Sequence, residues 1–193
     1  MVSTRRTTIA AAALEVLATG GLRSLTHREV DRVAGLPPGS TANVYGTRRE
    51  LIAGLVESLE RVDAESLQRK DPHFPPNDIE AVVASLAEFA IATTRGPLAV
   101  TTRARLTLLL AHPELVAAAH ERAVGLLREM FTGPGLPDAD ATASRVAAYL
   151  DGLALHATTS DAGPDAAEIR STLRRLIDAA PVTPRGRRAS GPG

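Results

Sequence analysis

The sequence predicts an all-helical protein with about nine helices. Apolar residues recur at spacings of three and four along most of the 193-residue chain, and no segment shows the alternation of apolar and polar residues that is typical of a strand. Proline, glycine or aspartate interrupts this pattern where helices are expected to begin or end. The predicted helices cover about residues 8–19, 26–34, 37–45, 48–69, 78–95, 97–112, 114–131, 140–160 and 165–180.

Two short helices joined by a glycine turn are predicted near the N-terminus. Thr26 and Glu29 are spaced as a capping box, in which each side chain accepts a hydrogen bond from the other residue's amide. Gly35 suits the left-handed residue that ends the first of these helices. The second helix is expected to begin at Pro37 and Pro38, because proline is tolerated only in the first turn of a helix.

The second short helix carries side chains that suit contact with DNA. Ser40, Thr41 and Asn43 are small polar residues near its start, where they can approach a groove and hydrogen-bond base edges or phosphates. Two helices in this arrangement, with a basic flank, are typical of a helix-turn-helix DNA reader. An ordinary helical hairpin within a bundle is the alternative interpretation.

Charge is distributed unevenly, although the whole chain has a formal net charge of zero. Residues 1–49 hold seven arginines against three acidic residues, which gives +4. Residues 50–180 hold twelve basic against nineteen acidic residues, which gives −7, and residues 181–193 add three arginines. A cationic end on an acidic body is typical of a protein that places one face on nucleic acid, and ordinary scatter of surface charge is the alternative.

Residues 1–57 resemble the DNA-binding domain of the TetR family of transcriptional repressors. The residues that carry the resemblance are the helix at 8–19, the Gly20-Gly21 break, Thr26, Ala34-Gly35, Gly39, Tyr45 and the run Thr47-Arg48-Arg49-Glu50-Leu51. The most similar subgroup has Leu-Pro-Pro-Gly-Ser-Thr at the turn, which is residues 36–41 here. The resemblance implies a homodimeric repressor that a small molecule releases from a palindromic operator.

DNA contacts are expected from polar, basic and turn residues of the first 50 positions. These are Arg5, Arg6, Thr26, His27, Pro38, Gly39, Ser40, Thr41, Asn43, Tyr45 and Arg48. Arg5 and Arg6 are expected to precede the first helix and to reach phosphates or a minor groove. Many proteins of the resembled family have phosphate-binding tyrosines where this chain has Ala42 and Val44. A helical dimeric partner- or ligand-binding protein with weakened or lost DNA binding is therefore the alternative function.

The remaining helices are predicted from apolar periodicity and the breakers between them. The fourth helix carries an apolar stripe of Leu51, Ile52, Leu55, Val56, Leu59 and Val62 and links the first part of the chain to the rest. A proline-rich connector at 71–77 precedes Asp78, which is expected to cap the fifth helix. Residues 95–97, 112–113, 133–135 and 161–164 separate the later helices.

The last two helices are expected to form the dimer interface. The resemblance implies that they pair with their counterparts in a second copy, and their small and aliphatic stripes suit close helix packing. The expected interface residues are Val146, Leu150, Leu153, Ala157, Ile169, Leu173, Leu176 and Ile177. The alternative is that these stripes face only their own core.

The resemblance implies that helices five to seven wall a small-molecule pocket. Such pockets are mostly apolar with a few polar groups. The candidate lining residues are Phe89, Thr93, Arg103, Leu106, Leu110, His120, Leu127, Met130, Phe131, Tyr149 and His156. The chain has only five aromatic residues, so an aliphatic or mixed ligand fits this sequence better than a large planar one.

An enzyme is the rival class, and the sequence disfavours it. The chain has no cysteine, which excludes disulfides, thiolate zinc sites and cysteine nucleophiles. No glutamate is followed three residues later by histidine, a pair that metal centres in helical bundles typically use, and no glycine-rich phosphate loop is present. His156, Ser160 and Asp161 lie near one another but lack an oxyanion-hole signature. We therefore expect no catalytic residues, no metal and no cofactor.

Two domains and a tail are expected. Residues 1–50 form the helix-turn-helix domain, residues 51–180 form the ligand-binding and dimerisation domain, and residues 181–193 form a disordered tail rich in proline, glycine and arginine. The sequence has no run of about 18 apolar residues and no signal peptide pattern, so a cytoplasmic protein is expected.

Overall fold

The structure is a computed structural model that describes residues 4–68, 77–96, 98–160, 163 and 165–179. Over those residues the chain forms nine α-helices and no strand, which confirms the predicted fold class. The helices are α1 (Thr4–Ser24), α2 (His27–Val33), α3 (Ser40–Val44), α4 (Arg48–Gln68), α5 (Ile79–Thr94), α6 (Ala99–Ala111), α7 (Pro113–Thr132), α8 (Ala139–His156) and α9 (Ala166–Asp178). The predicted tail at 181–193 and most of the connector at 71–77 lie outside the described residues.

Helix α2 has the predicted start and end, but only half of the predicted capping box. The Thr26 hydroxyl accepts a hydrogen bond from the Glu29 amide at 3.2 Å, and Gly35 is left-handed with φ 62°. The reciprocal bond is absent, because the Glu29 carboxylate instead accepts two bonds from Arg32, at 2.5 and 3.0 Å. An arginine three residues away on the same helix face offers a stronger, charge-assisted partner than a backbone amide.

Helices α1 and α3 begin at different residues from those predicted. Because α1 begins at Thr4, the expectation that Arg5 and Arg6 precede the first helix is wrong. No proline or glycine lies between Thr4 and Ile9, so nothing in this stretch stops the helix from extending toward the N-terminus. Helix α3 begins at Ser40, so the prolines of the turn precede the helix instead of forming its first turn.

Gly39 is the reason that α3 begins late. It is the residue that precedes the first turn of α3, and its backbone is left-handed, with φ 89° and ψ −5°. A residue with a side chain rarely adopts this conformation, whereas glycine does so without steric cost. Helical geometry therefore starts only after Gly39, and the turn takes the two prolines out of the helix.

The apolar side chains form two cores. The first core packs α1, α2 and the first half of α4 against one face of α6 and the start of α7, including Ala104, Leu108, Val116 and Ala119. The second core is made of α5, the end of α7, α8 and α9. Leu51 and Leu55 of α4 are fully buried in the first core, so this core extends past residue 50 and depends on α4, α6 and α7.

Candidate nucleic-acid interface and internal cavity

A buried carboxylate of α2 holds the start of α3. The Asp31 side chain is 3% exposed and accepts hydrogen bonds from the Gly39 amide at 2.7 Å, the Thr41 amide at 2.8 Å and the Thr41 hydroxyl at 2.6 Å. The Thr41 amide belongs to the first turn of α3, where backbone amides have no partner within the helix. Asp31 therefore caps α3, although it belongs to the neighbouring helix α2.

The same bonds set the ionisation of Asp31. Burial raises the pKa of the carboxyl group, but the hydrogen bonds from Thr41 and Gly39 and the nearby charge of His27 outweigh it, so the pKa lies below its ordinary value. Ionised Asp31 is thus the form that fits the turn. The sequence carries no periodic signal for this residue, because Asp31 lies about 100° around the helix from Val30, outside the stripe of Val30 and Val33.

The structure divides the polar residues of α3 into buried and exposed groups. Thr41 is fully buried and its hydroxyl is bound to Asp31, so the expectation that it contacts DNA is wrong. Ser40 is 4% exposed and accepts a 3.5 Å hydrogen bond from Arg5, so it faces the interior of the turn and not an open surface. Ala42 and Asn43 are exposed, as are Pro38 and Gly39 at the start of the helix.

Three of the predicted basic residues, Arg5, Arg6 and His27, contact α3 or Tyr45 at its end. Arg5 reaches Ser40, and the Arg6 guanidinium lies 5.6 Å from the centre of the Tyr45 ring. The ring nitrogen Nε2 of His27 lies 2.8 Å from the Tyr45 carbonyl oxygen. The N-terminal turns of α1 and α2 therefore pack against α3 and against Tyr45 at its end, and they bring Arg5 and Arg6 close to this helix.

Tyr45 itself is part of the packing. Its side chain is 8% exposed, and its burial raises the pKa of the phenol. The ring lies against Gly54 of α4, where an added Cβ would come within 2.7 Å of the ring atoms Cζ and Oη. We therefore describe Tyr45 as a residue that fixes α3 against α4, and not as an exposed phosphate contact.

Arg48 and Thr26 stay at the surface. The Arg48 guanidinium donates to the carbonyl oxygen of Leu22, which ties the start of α4 to the end of α1, and the side chain remains exposed. Thr26 is exposed as the cap of α2. Both residues are therefore placed at surfaces open to a ligand such as a phosphate.

A cavity of about 270 Å³ lies between α4, α5, α6, α7 and α8. Its walls are mostly aliphatic, with Phe89 as the aromatic side chain among the lining residues. Four of the predicted pocket residues line it: Phe89, Leu106, His120 and Leu127. A second cavity, of about 320 Å³, lies near the end of α8 and includes His156.

Six of the predicted pocket residues face elsewhere. Met130 and Phe131 are fully buried in the second core, Tyr149 packs against that core, and Thr93 is buried with its hydroxyl donating to the carbonyls of Phe89 and Ala90. Arg103 is exposed and Leu110 is 82% exposed. On α6 the cavity side carries residues 105, 106, 108 and 109, whereas Arg103 and Leu110 point toward solvent.

Charged residues that the sequence analysis missed line the cavity. Asp63 of α4 pairs with Arg105 of α6 at 2.5 Å, and Glu60 of α4 accepts two bonds from Arg122 of α7, at 2.7 and 3.0 Å. Asp151 of α8 also lines the cavity. Desolvation by the cavity wall raises its pKa, and the charges of His120 and Arg105 only partly oppose this.

The sequence contained a signal for Asp63. It lies four residues after Leu59 and four before Leu67, both of which are buried, so it belongs to an otherwise apolar helix face. A carboxylate on such a face is costly unless a partner meets it. A carboxylate on an apolar helix face is thus a signal by which the sequence alone indicates Asp63 as a candidate site residue.

The predicted dimer residues are mostly interior. Val146, Ile169 and Leu173 are at most 1% exposed and Ile177 is 7% exposed, all within the protomer's own second core. Leu150 lines the cavity, while Leu153 and Ala157 line the second one and Leu176 packs partly buried on the second core. The expectation that the four most buried residues meet a second copy is therefore wrong, since an apolar stripe does not reveal which neighbour covers it. The outward side of α8 carries Ser144, Ala148, Gly152 and Leu155.

Within the part of the chain that the structure describes, no cluster of three or more His, Asp or Glu side chains is placed to hold a metal ion. None of the described helices is both long enough and apolar enough to cross a membrane.

The turn between α2 and α3, the exposed side of α3 and the arginines near this helix define a helix-turn-helix protein, which also has a cavity among α4 to α8. The family model described as "Tetracyclin repressor-like, C-terminal domain" matches residues 77–179. The chain therefore belongs to the TetR family of DNA-binding transcriptional regulators, which in general are not enzymes.

Solved structures agree with this assignment. A TetR family protein from Streptomyces coelicolor A3 is 25% identical, with a TM-score of 0.73 over 91% of this chain and 99% of that one. The multidrug binding protein EbrR, in complex with imidazole, is 26% identical, with a TM-score of 0.69 over 94% of this chain and 93% of that one. A transcriptional regulator from Rhodococcus sp. Rha1 is 23% identical with a TM-score of 0.71 over 89% and 93%, and it shows the same fold. A comparison with curated proteins finds no match.

Proposed function

We propose that this protein is a homodimeric, one-component transcriptional repressor that binds a palindromic operator through α3 and is released by a small molecule in the cavity. The proposal includes no enzymatic activity. The observation that carries it is the anchored recognition helix, in which Asp31 fixes the start of α3 while Asn43 remains exposed. We also assign the chain to the subgroup with Leu-Pro-Pro-Gly-Ser-Thr at the turn, residues 36–41.

Direct base contact is assigned to Asn43. An asparagine side chain has one acceptor and two donors, and it can bind adenine in two places in the major groove. Arg5, Arg6 and Arg48 supply the nearby positive charge, which suits phosphates, and their contacts carry affinity without sequence preference. Thr26, at the exposed start of α2, is a further candidate phosphate contact.

Homodimerisation is supported by the outward face of α8. Ser144, Ala148 and Gly152 are small and exposed, and Leu155 is 56% exposed, so a second helix can approach closely. A short recognition helix such as α3 contacts few base pairs, and a dimer doubles the number read on a palindrome.

Ligand response is supported by a wall that the cavity shares with the first core. Val56 and Leu59 of α4, Leu108 of α6, and Val116 and Ala119 of α7 line the cavity and also belong to the core that packs against α1. A ligand that favours one packing of this wall therefore also favours one position of the DNA-binding helices. To move the population from 99% of one state to 99% of the other it must distinguish the two states by about 5.5 kcal/mol.

The similar structures support a ligand-binding role. One is EbrR in complex with ethidium, which is 25% identical with a TM-score of 0.70, and EbrR is described as a multidrug binding protein. That description belongs to EbrR. For this chain it supports the cavity as the place where an effector binds.

A second candidate function is a dimeric ligand-binding protein with weakened or lost DNA binding. The observation that favours it is the methyl side chain of Ala42, which is exposed on α3 and offers no hydrogen bond to phosphate.

Selection from a library of random DNA duplexes separates the two candidates. We expect the full chain to enrich a palindrome whose half-site centres lie about one helical turn, roughly 34–36 Å, apart. Asn43→Ala serves as the specificity variant and Asn77→Ala, outside the helix-turn-helix, as its matched control. Failure to enrich any sequence, by a protein that is folded and dimeric, would support the second candidate function over the first.

A further inference from the structure

The exposed surface of α3 is formed by two consecutive side chains. Ser40 and Thr41 are 4% and 0% exposed, and Val44 is partly buried against the first core. Of the five residues of α3, only Ala42 and Asn43 are exposed. The helix therefore presents a methyl group beside a carboxamide.

This surface lacks the side chains that read G·C pairs directly. The commonest specific contact with guanine is made by arginine or lysine, and a carboxylate can accept from the amino group of cytosine. Helix α3 holds none of these residues, since its sequence is Ser-Thr-Ala-Asn-Val. Two arginines close to it belong to α1, where Arg5 donates to Ser40 and Arg6 lies over the ring of Tyr45. The side chains that α3 itself exposes are therefore suited to A·T pairs.

Both exposed groups match the edge of an A·T pair in the major groove. Adenine offers N7 as an acceptor and its amino group as a donor, and the Asn43 carboxamide can bind the two together. Thymine offers O4 and a C5-methyl group, and alanine is one of the side chains that make apolar contacts with that methyl group. Ala42 thus complements the part of the A·T edge that Asn43 leaves uncovered.

The spacing of the two residues is close to the spacing of stacked bases. Cα atoms of consecutive residues lie about 3.8 Å apart, and neighbouring base pairs are separated by about 3.4 Å. When Asn43 binds an adenine, Ala42 therefore lies at the same base pair or at the next one.

Ala42 presents its methyl group without conformational cost. The side chain has no rotamer to fix, so its contact with DNA loses no side-chain entropy. The orientation of α3 is set by Asp31, which binds both the amide and the hydroxyl of Thr41 on the buried side of the helix. The methyl group is thus held at a defined place on the exposed surface.

We infer that Ala42 is a specificity-determining residue, whose methyl group packs on the C5-methyl group of a thymine within one base pair of the adenine that Asn43 binds. The inference rests on the proposed function, because it requires α3 to enter the major groove. It gives Ala42 a role in reading bases, while the phosphate contacts belong to the arginines.

Replacement of thymine by deoxyuridine tests the inference, because it removes the C5-methyl group and keeps the base pairing. The probe is the duplex that the full chain enriches from the random library, with each thymine replaced in turn in both half-sites. Asn43→Ala identifies the adenine, as the position at which the preference relaxes. We expect replacement of a thymine within one base pair of it to weaken binding by about fourfold per half-site, the effect of one methyl group that stays out of the contact.

Ala42→Gly assigns the effect to this side chain. The variant should bind the thymine and deoxyuridine duplexes equally, because the partner of the methyl group is gone. Glycine also weakens the helix, but this loss applies to both duplexes and cancels in the ratio of the two affinities. Ala42→Ser, which places a hydroxyl against the thymine methyl group, should lower the ratio too and carries the test if the glycine variant does not fold. Ala11→Gly, at an exposed position of α1, is the matched control and should keep the ratio of the wild type.

Three results overturn the inference while the proposed function stands. They are a palindrome without thymine within one base pair of that adenine, equal affinity of the wild type for the thymine and deoxyuridine duplexes, and a ratio that persists in the Ala42 variants. In the last case another residue or the shape of the duplex senses the methyl group. Failure to enrich any palindrome contradicts the proposed function, and the inference with it.

Discussion

Asp31 shows how one buried side chain can position a reading helix. Its carboxylate replaces the missing partners of the first turn of α3 and binds the Thr41 hydroxyl at the same time. Hydrogen bonds to a charged acceptor contribute about 1.5–3 kcal/mol each, which is more than neutral ones. Thr41 thereby acts in the packing of the turn and not at the DNA surface.

Asp31→Asn should lower both stability and DNA affinity. The amide keeps one oxygen acceptor but turns an NH₂ group toward donors, so at least one amide of the turn loses its partner, at a cost of about 1–3 kcal/mol. Urea unfolding and operator binding would measure the two effects. Glu29→Gln, on the exposed face of the same helix, is the matched control and should have little effect on either.

The pH dependence of the same variant has a definite sign. The pKa of Asp31 in the folded protein lies below its ordinary value, so its contribution to stability is present above the ordinary aspartate pKa and is lost as the pH falls through the folded value. The stability difference between wild type and Asp31→Asn should therefore shrink in acid. A difference that stays constant down to acid pH would contradict the role of the ionised form.

Asn43→Ala should weaken operator binding by about 1–3 kcal/mol and relax the preference at one position of each half-site. The reason is the loss of a side chain that offers a donor and an acceptor on the exposed side of α3. Competition binding with single-base operator variants checks it. Unchanged affinity for every variant would show that α3 does not read bases through this residue.

At the scale of elements, α4 connects the reading helix to the cavity. Its first half packs in the first core and against Tyr45, while Glu60 and Asp63 reach α7 and α6 across the cavity. A helix is stiff over this length, so a change at the cavity end moves the surface against which α3 rests. Gly54 lies at the point of contact with Tyr45 and leaves room for the ring.

Gly54→Ala should destabilise the protein and reduce DNA binding. Alanine favours a helix by about 0.5–1 kcal/mol over glycine, but here its Cβ would lie under 3 Å from ring atoms that are held in a buried site. The steric clash therefore outweighs the gain in helix propensity, and the substitution is destabilising. Gly125→Ala in α7 is the matched control: nothing lies within 4 Å of its added Cβ, so it should raise the melting temperature slightly.

At the scale of the whole molecule, the two cores meet along the cavity wall. Asp63–Arg105 and Glu60–Arg122 bridge α4 to α6 and α7, and wall residues such as Leu108 pack toward α1. Effector binding is then coupled to the position of α6 relative to α4, and so to the DNA-binding helices.

Ala148→Arg should produce a monomer that binds operator poorly. In the proposed dimer the outward faces of two α8 helices meet, so two arginines would be brought together at a close contact. Light scattering should give the mass of one chain, 20.2 kDa, in place of twice that value. Operator affinity should fall about 100-fold or more, because the two reading heads are no longer linked.

The control for this variant is Ala117→Arg on the exposed side of α7. It adds the same charge away from α8 and should remain dimeric. A dimeric Ala148→Arg protein with normal operator affinity would place the interface elsewhere.

The sequence by itself predicted the fold class, the Thr26 cap, the left-handed Gly35 and the helices, apart from the first residues of α1 and α3. These features depend on interactions between residues a few positions apart, and the local amino-acid sequence specifies such interactions. It also placed four of the cavity residues, because apolar periodicity shows which face of a helix is buried.

Only the tertiary structure decided what covers each buried face. Asp31 meets Gly39 and Thr41 eight and ten residues away, and Asp63 meets Arg105 on another helix. Apolar periodicity identifies the buried face of a helix but not the element that packs against it. It therefore cannot distinguish a core position such as Ile169 from a position at a dimer interface. It also cannot distinguish the wall of a cavity from a filled core. The element that covers a buried face depends on how the helices pack in three dimensions. The same packing brings together the charged residues that line the cavity.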